Sequence, residues 1–563
     1  MSVRLKVSSA VILLLALALG GAATSHAATI TIVNGDGAGE GFNDATPVSP
    51  IGGNAGTTRG AQRLNVFNQA AAIWGGLLPS TVTIQVLAKF DSQFCTTNSA
   101  VLGSAGPRST HSDFPGAEFL NMWYSQALAN KLSGADQSVL EDISATFNSD
   151  VDNGTCLGSV NWYYGFDGNE GNHVELLPVV LHELGHGLGF LTFADVNSGQ
   201  LLGGTPDIFS RFMLDKSIGL HWSEMSDAQR LLSRNNTGNL VWDGYATTFR
   251  ASTFLSPRAE VEVLAPAFSA GIYTAPKALF GPALTTTGVT AEVVEIFDGT
   301  GGPDACQPIL NGAALSGKIA FIDRGGCTYD FKVAAAQAFG AVGVIVVNNV
   351  TGAAFSMSGS NPSITIPAVM ISKDEGDLIR EDVNAGGTIV TLRQDATAVA
   401  GAHPDGQVLL YAPSLIEPGS SLSHFDVTAT PDLLMEPNIN DGLHDDVDLT
   451  LEAFEDMGWI PRLTAVAATD AAPRFRVASA PNPFRPSTVI SLELPAAGAT
   501  LVEVYDLQGR LVKRLVNGWL PAGRHAVTWD GTDATGRGAV AGVYFTRIAA
   551  NGARAGQKLV KLN

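Results

Sequence analysis

The sequence predicts a modular α+β protein. A mixed helix-and-strand domain is interrupted by an α/β unit and followed by an all-β immunoglobulin-like sandwich. Three observations predict this. At roughly 150 residues per domain, 563 residues make three or four domains, and a composition 45% hydrophobic and only 15% charged gives each its own core. Residues 28–180 mix β-branched runs with helical spacings, whereas about 260–400 turns to short strands, Gly-rich turns and one Ala-rich helix. Beyond an aperiodic stretch at 461–475, strands recur between Gly/Asp turns over the last 88 or so residues.

Taken in order, Arg4 and Lys6 precede an apolar run from Val7 to Leu19 that exits through Ser25-His26-Ala27. A basic start, a short apolar core and a small-x-small end predict a secretory signal over residues 1–27. The run is short of the roughly 20 residues a spanning helix needs. No later stretch is long and apolar enough to span, so an exported product without a membrane span is expected. Losing Arg4 and Lys6 takes the net charge from −20 to about −22. That balance argues against nucleic acid or an anionic membrane as partner. The four cysteines, Cys95, Cys156, Cys306 and Cys327, allow three pairings. Proximity favours Cys306–Cys327 and leaves Cys95–Cys156; the absence of C-x-x-C argues against a zinc ribbon.

Thr29–Val33 and Thr81–Leu87 are β-branched runs bounded by turn residues, and predict strands. Leu64, Phe67 and Ala71 repeat at helical spacing within Arg59–Trp74, and a second helix is predicted over Val174–Leu188. In the α/β unit, strands are expected at Lys318–Ile322, Ala341–Val347 and Ile364–Ile371, with a helix at Phe331–Phe339. A helix beginning at Asp448, as N-cap, and stopped by Gly458 closes the part that precedes the aperiodic stretch. Thr488–Leu494, Thr500–Tyr505 and Val543–Ile548 predict strands of the sandwich.

Chemistry concentrates in the second helix, where Leu181-His182-Glu183-Leu184-Gly185-His186-Gly187-Leu188-Gly189-Phe190 contains HExxH. Residues four apart on a helix project from one face, so His182 and His186 can hold one Zn²⁺. Glu183, beside the first histidine, then stands where it takes the proton of the attacking water. A catalytic zinc needs a third protein ligand and an open fourth position. The short form of the motif places that ligand six residues after the second histidine, where this chain has Thr192, and no Glu occurs between Glu183 and Glu224. The remaining candidates of the mature chain are His111, His173, His221, His403, His424, His444 and His525, with Asp207 of Gly204-Thr205-Pro206-Asp207 beside them.

Ser420-Ser421-Leu422-Ser423-His424-Phe425-Asp426, followed by Pro431-Asp432-Leu433-Leu434-Met435-Glu436-Pro437, resembles the downstream half of leishmanolysin-type metzincins. There a large insertion separates HExxHxxGF from a Ser-His-aromatic element and a Met-turn. The resemblance implies a metzincin-like zincin fold, His424 as third ligand and Met435 as an apolar floor under the metal. The match covers two short blocks and departs from the family at Phe425, where Trp is common. Asp207 is the second choice, through a faint similarity to the Gly-Thr-x-Asp element of aspzincins, and His221 a weaker third. The acids Asp441, Asp445, Asp446 and Asp448 offer oxygen to Ca²⁺, but a solvated, capped helix start accounts for them without an ion.

Residues 261–400 resemble a protease-associated (PA) domain through Gly317–Tyr329 (GKIAFIDRGGCTY), Lys332–Gly343 and Ile366-Pro367-Ala368-Val369, with Cys306 upstream as a partner for Cys327. That resemblance implies a lid, a substrate-docking insert or a spacer without catalytic residues. Residues 476–563 resemble the Ig-like module of flagellar hook-capping proteins and the C-terminal sorting domains of type IX secretion substrates. The matching elements are Pro481–Phe484, Val504–Arg510, Trp529-Asp530-Gly531 and Gly542–Phe545. Such a tail implies secretion or cell-surface machinery as partner. The expected organisation is therefore signal 1–27, catalytic residues 28–260 and 401–460 flanking the insert 261–400, linker 461–475 and Ig-like module 476–563. The expected activity is that of a secreted zinc endopeptidase acting on proteins or peptides, with His182, His186 and His424 on the metal and Glu183 as general base. The alternatives are a surface adhesion protein with a non-catalytic zinc and a zinc hydrolase of a non-peptide bond.

Overall fold

The computed structural model describes residues 27–460 and 476–562, apart from positions 159, 300–301, 353, 441–442, 495–497, 507–509, 521–522, 534–535 and 551–552. The expected signal segment (but for Ala27) and the linker lie outside the described residues. The chain divides into two compact units, Met1–Arg462 and Leu463–Asn563.

The first unit is built around a four-stranded sheet. Its strands are β1 (Ile30–Asn34), β2 (Ile84–Asp91), β3 (Gly103–Pro107) and β4 (Ile143–Asn148), in the order β1-β2-β4-β3. β1, β2 and β4 are parallel, and β3 runs antiparallel along the edge. β2 alternates strictly, with Ile84, Val86, Ala88 and Phe90 buried, because one of its faces carries the helices. Two long helices cover that core. α1 (Arg59–Leu77) is capped by Thr58, whose hydroxyl accepts from Ala61 N at 3.2 Å. α2 (Leu176–Leu188) is buried along its whole length. Trp74 of α1 fixes the two together by donating its indole N–H to Leu181 O at 3.0 Å.

Within the same unit, a seven-stranded mixed sheet is bounded in sequence by β5 (Pro257–Ala265) and β11 (Ile389–Val399), which pair antiparallel. Between them run β6 (Gly271–Thr274), β7 (Val289–Glu295), β8 (Ile319–Asp323), β9 (Gly343–Val347) and β10 (Ala368–Ile371). β7 to β10 are parallel neighbours. The helix α4 (Tyr329–Ala338) lies in the crossover between the parallel strands β8 and β9, and α5 (Lys373–Ala385) leads from β10 to β11, which runs antiparallel to β7. A shorter helix, α3 (Tyr245–Phe254), precedes this module.

The chain enters and leaves the module at one point: Ala400 N donates to Ser256 O at 2.9 Å. The flanking segments also pair directly, Val241 with Leu409 and Trp242 with Val408, so residues before and after the module share one sheet. The unit closes with α6 (Asp448–Met457), ended by Gly458 at φ +101°. The N-cap position is Val447 rather than Asp448, but the Asp448 carboxylate still accepts from Thr450 N at 3.2 Å, the bond expected of a cap.

The second unit is a two-sheet sandwich. Arg476–Ala480, Thr488–Leu494 and Gly523–Trp529 form one sheet; Gly498–Asp506, Leu511–Leu520, Gly542–Ala550 and Ala553–Lys561 form the other. Ile490, Val504, Trp529 and Ile548 lie in the core between them. Both disulfides form in the pairing proximity favoured, Cys95–Cys156 and Cys306–Cys327.

Candidate metal centre

α2 presents His182 and His186 on one face, and Gly189, at φ +126°, turns the chain immediately afterwards. That turn brings the Phe190 carbonyl back over the helix end, where it accepts from His186 Nδ1 at 2.8 Å. A side chain at Gly189 would meet Ser125 Oγ at 2.8 Å, so the position is closed by sterics as well as by its dihedral. His424 approaches from the far side of the insertion, with its backbone C=O accepting from Tyr411 N at 2.9 Å.

The three imidazoles converge. Their Nε2 atoms lie 3.1 Å (182–186), 3.1 Å (186–424) and 3.2 Å (182–424) apart. Each Nδ1 faces a backbone carbonyl: Leu434 O at 2.7 Å from His182, Phe190 O at 2.8 Å from His186, and Ser420 O at 2.6 Å from His424. A carbonyl can only accept, so each Nδ1 carries the proton and each Nε2 turns a lone pair toward the common centre. Three lone pairs in contact with no donor between them repel one another unless a cation sits among them. The centre of such a triangle is about 1.8 Å from each nitrogen, shorter than the roughly 2.0–2.1 Å of a zinc–imidazole bond, so an ion a little out of the plane of the three reaches that length from each, and the residues fit one zinc ion. Burial pushes the imidazoles down, His182 to about 4, His186 to about 3 and His424 well below its ordinary value, which keeps them neutral and able to ligate.

Glu183 is buried beside them under the edge strand β3, where Ala105 N–H donates to its carboxylate. Burial outweighs that bond and pushes the carboxyl up to about 8. Met435 lies beneath the helix, fully buried, with its Sδ only 2.7 Å from where a Cβ on Gly185 would be. Its backbone C=O accepts from Phe425 N at 2.7 Å, joining the turn at 433–436 to the bend that carries His424.

Among the described residues, His182, His186 and His424 are the one group of three or more His, Cys, Asp or Glu gathered closely enough for a metal ion. Asp207, the second choice as ligand, is buried, but its oxygens are taken by Thr192, Phe193 and Ser210. His221 is held by Glu224 at 3.1 Å and Asp243 at 2.9 Å. Asp445, Asp446 and Asp448 form no such group, and the Asp448 carboxylate turns inward to the Leu434 and Thr450 N–H groups. Asp441 lies outside the described residues. Of the other histidines the sequence offers as a third ligand, His444 stands outside the group and has a different part. His444, between Glu175 Oε1 at 2.7 Å and Phe166 O at 3.0 Å, ties the start of α2 to the chain after the turn at 433–436. A histidine within a run of acids was the available signal.

Comparison with known proteins identifies two modules. The PA domain family matches residues 289–379 and the FlgD Ig-like domain family residues 484–554. The chain is 31% identical over 155 residues to ER degradation-enhancing alpha-mannosidase-like protein 3 of Xenopus laevis, covering 25% of this chain and 16% of that protein. It is 42% identical over 81 residues to receptor homology region, transmembrane domain- and RING domain-containing protein 1 of rice (Oryza sativa subsp. japonica), covering 14% and 15%. Among solved structures it is similar to BSAP, a zinc aminopeptidase from Bacillus subtilis, at 26% identity and TM-score 0.19, covering 27% of this chain and 35% of that one. The chain thus spans about a sixth of the length of those two sequence relatives, and what is shared is modular. No helix among the described residues is long and apolar enough to cross a membrane.

Proposed function

We infer that the chain is a secreted zinc-dependent endopeptidase whose catalytic domain is metzincin-like, of the leishmanolysin type. His182, His186 and His424 hold the ion, and Glu183 is the general base. The observation that carries this reading is the triangle of Nε2 atoms, each imidazole pinned through Nδ1 to a backbone carbonyl, with a buried carboxyl one residue from the first ligand. Zinc held there supplies a Lewis acid that polarises a scissile carbonyl and makes water nucleophilic at neutral pH. Glu183 takes the proton of the attacking water at its carboxylate and returns it to the leaving amine nitrogen. One residue from the first histidine and bonded by Ala105 N–H, the carboxylate is placed to do both.

The edge strand β3 favours internal cleavage. It ends its sheet directly over Glu183, where a Cβ on Gly103 would lie 3.0 Å from Glu183 Cγ. An extended peptide adds to such an edge through main-chain bonds, and that mode needs no pocket for a chain terminus. A structural zinc in an adhesion protein fits less well. Structural sites are closed by a fourth protein ligand, and among the described residues no fourth His, Cys, Asp or Glu joins the three. Two disulfides suit an oxidising compartment, and the FlgD-like module supplies a surface for sorting or attachment.

The test is metal analysis of the mature protein beside cleavage of an unfolded protein substrate, with Glu183→Gln in parallel and the product termini sequenced. Retained zinc, internal cuts and no cleavage by Glu183→Gln are expected. Undiminished cleavage by that variant overturns the mechanism. Release of single N-terminal residues overturns the endopeptidase assignment, and zinc with hydrolysis of non-peptide esters or amides alone moves the substrate class.

A further inference from the structure

In the short form of the motif, the third ligand stands six residues after the second histidine, held close by the chain itself. Here that position is Thr192, while His424 lies 238 residues from His186. Covalent connection therefore does not position the third imidazole, and something noncovalent must. Thr192 is the link. Its backbone N–H reaches Ser423 Oγ, the residue before His424, at 3.3 Å. Its hydroxyl donates to Asp207 Oδ2 at 2.9 Å. The same carboxylate oxygen accepts from Phe193 N at 2.9 Å, and Oδ1 accepts from Ser210 N at 2.7 Å. Asp207 is itself fixed by its neighbours, Trp123 N donating to Pro206 O and Ile208 N to Trp123 O. A rigid 207–210 turn thus grips the segment that follows α2. That segment carries both the carbonyl orienting His186, at Phe190, and the N–H that meets the residue next to His424.

We propose that Asp207 and Thr192 are positioning residues that set His424 against His186, replacing by a buried hydrogen-bonded clamp the short chain connection of the simpler motif. Neither touches the metal. The inference rests on the reading of the three histidines as zinc ligands. Outer partners that orient ligands typically change metal affinity about 10–100-fold when removed.

The experiment is the zinc dissociation constant of the full chain, measured by competition with a chromophoric chelator. The proteins are wild type, Thr192→Val, Thr192→Ser, Asp207→Asn, Ser423→Ala and the Asp207→Asn/Ser423→Ala double variant. Visible spectra of the Co²⁺-loaded proteins are recorded beside them. Expected are a roughly 10–100-fold weaker affinity for Thr192→Val and Asp207→Asn, with an altered Co²⁺ band pattern. Thr192→Ser, which keeps the hydroxyl, should match wild type. The double variant should lose less than the two singles combined, because both act on one linkage. Asp456→Asn is the control for a merely structural loss. That buried carboxylate is likewise filled with donors (Trp242, Ala246 and Thr247) but faces α3 instead of the histidines, and should leave affinity and spectrum unchanged. Variants that unfold more readily yet bind zinc with wild-type affinity and spectrum overturn the clamp alone, as does a Thr192→Ser variant no better than Thr192→Val. A wild-type protein that takes up no zinc overturns the metal-site reading itself.

Discussion

A single methyl group added at Gly185 tests how the floor of the site is built. A Cβ there would lie 2.7 Å from Met435 Sδ, 3.3 Å from Met435 Cε and 4.0 Å from Trp74 Cζ2. Nonbonded heavy atoms prefer roughly 3.5–4.0 Å, so Met435 has to yield by about 1 Å, and it is fully buried. Overpacking of this kind costs about 1–3 kcal/mol, while Ala in place of Gly within a helix returns about 1 kcal/mol. The net loss for Gly185→Ala is therefore about 0–2 kcal/mol, small enough for the protein to fold.

The local effect should be larger than the global one. Met435 adjoins Leu434, whose carbonyl holds His182 Nδ1 at 2.7 Å, so displacing the thioether disturbs a proposed ligand. About tenfold weaker zinc binding is expected with little change in melting temperature. Met435→Ala alone leaves a cavity and costs about 2–5 kcal/mol. In the double variant the new methyl group occupies part of that cavity, so the combined loss should fall short of the sum. Urea unfolding and chelator competition on the four proteins read both quantities. Strict additivity, or Gly185→Ala with wild-type zinc affinity, would refute the packing argument.

Two further outcomes follow from the same unit. Cys95–Cys156 closes 61 residues and Cys306–Cys327 closes 21, so chain entropy assigns about 4 and 3 kcal/mol to them; Cys95→Ala/Cys156→Ala should lower the urea midpoint of its transition further than Cys306→Ala/Cys327→Ala, and the reverse order would contradict the loop-length account. For His444, burial lowers the pKa, but the hydrogen bond and charge of Glu175 outweigh it, and the net shift is upward. A raised histidine contributes stability that is full below its unfolded pKa of about 6.5 and is lost as pH rises through the folded value. Glu175, pushed up by burial, must stay ionised, which bounds the window on the acid side. The melting-temperature gap between wild type and His444→Gln should therefore be widest just below pH 6.5 and narrow toward pH 8; a gap that grows with pH would reverse the assigned sign.

The parts of the site legible in the sequence are those set by local geometry. The four-residue spacing of His182 and His186, and the stop at Gly189, are properties of one helix and its end, and α2 ends where Gly189 predicts. The disulfides followed from separation along the chain. Strand limits were less legible, because partners set them. Thr81–Leu87 reads as a strand, yet β2 starts at Ile84, since Ser80 Oγ accepts from Val82 N in a turn that takes up the first residues. At the other end β2 continues through Lys89 and Asp91 because β4 pairs with it to Asn148. Composition at 445–448 suggested surface acids or Ca²⁺, but the turn at Leu434 draws Asp448 inside, and no property of the acids themselves signals that. Asp207 was noticed for a ligand-like motif; that its donors come from the chain after α2 is a fact of tertiary structure alone.

Distance along the chain is a smaller obstacle to such a site than it looks. Loop-closure cost rises by about 0.6 kcal/mol per doubling of length, so moving the third imidazole from six residues after His186 to 238 adds about 3 kcal/mol. A buried hydrogen bond returns about 0.5–1.5 kcal/mol net. Four of them tie the returning chain to the part before the insertion: Leu410 N to Leu240 O at 2.9 Å, Ser256 N to Thr430 O at 2.6 Å, His182 Nδ1 to Leu434 O at 2.7 Å and Thr192 N to Ser423 Oγ at 3.3 Å. Together they return about as much as the longer loop costs. The inserted module adds little to the burden, because Ser256 and Ala400 are already hydrogen-bonded neighbours at its base. The chain can thus carry a folded domain between two parts of the proposed metal centre, provided the hydrogen bonds around His424 remain intact; those bonds, more than the length of the insertion, are where the site is vulnerable.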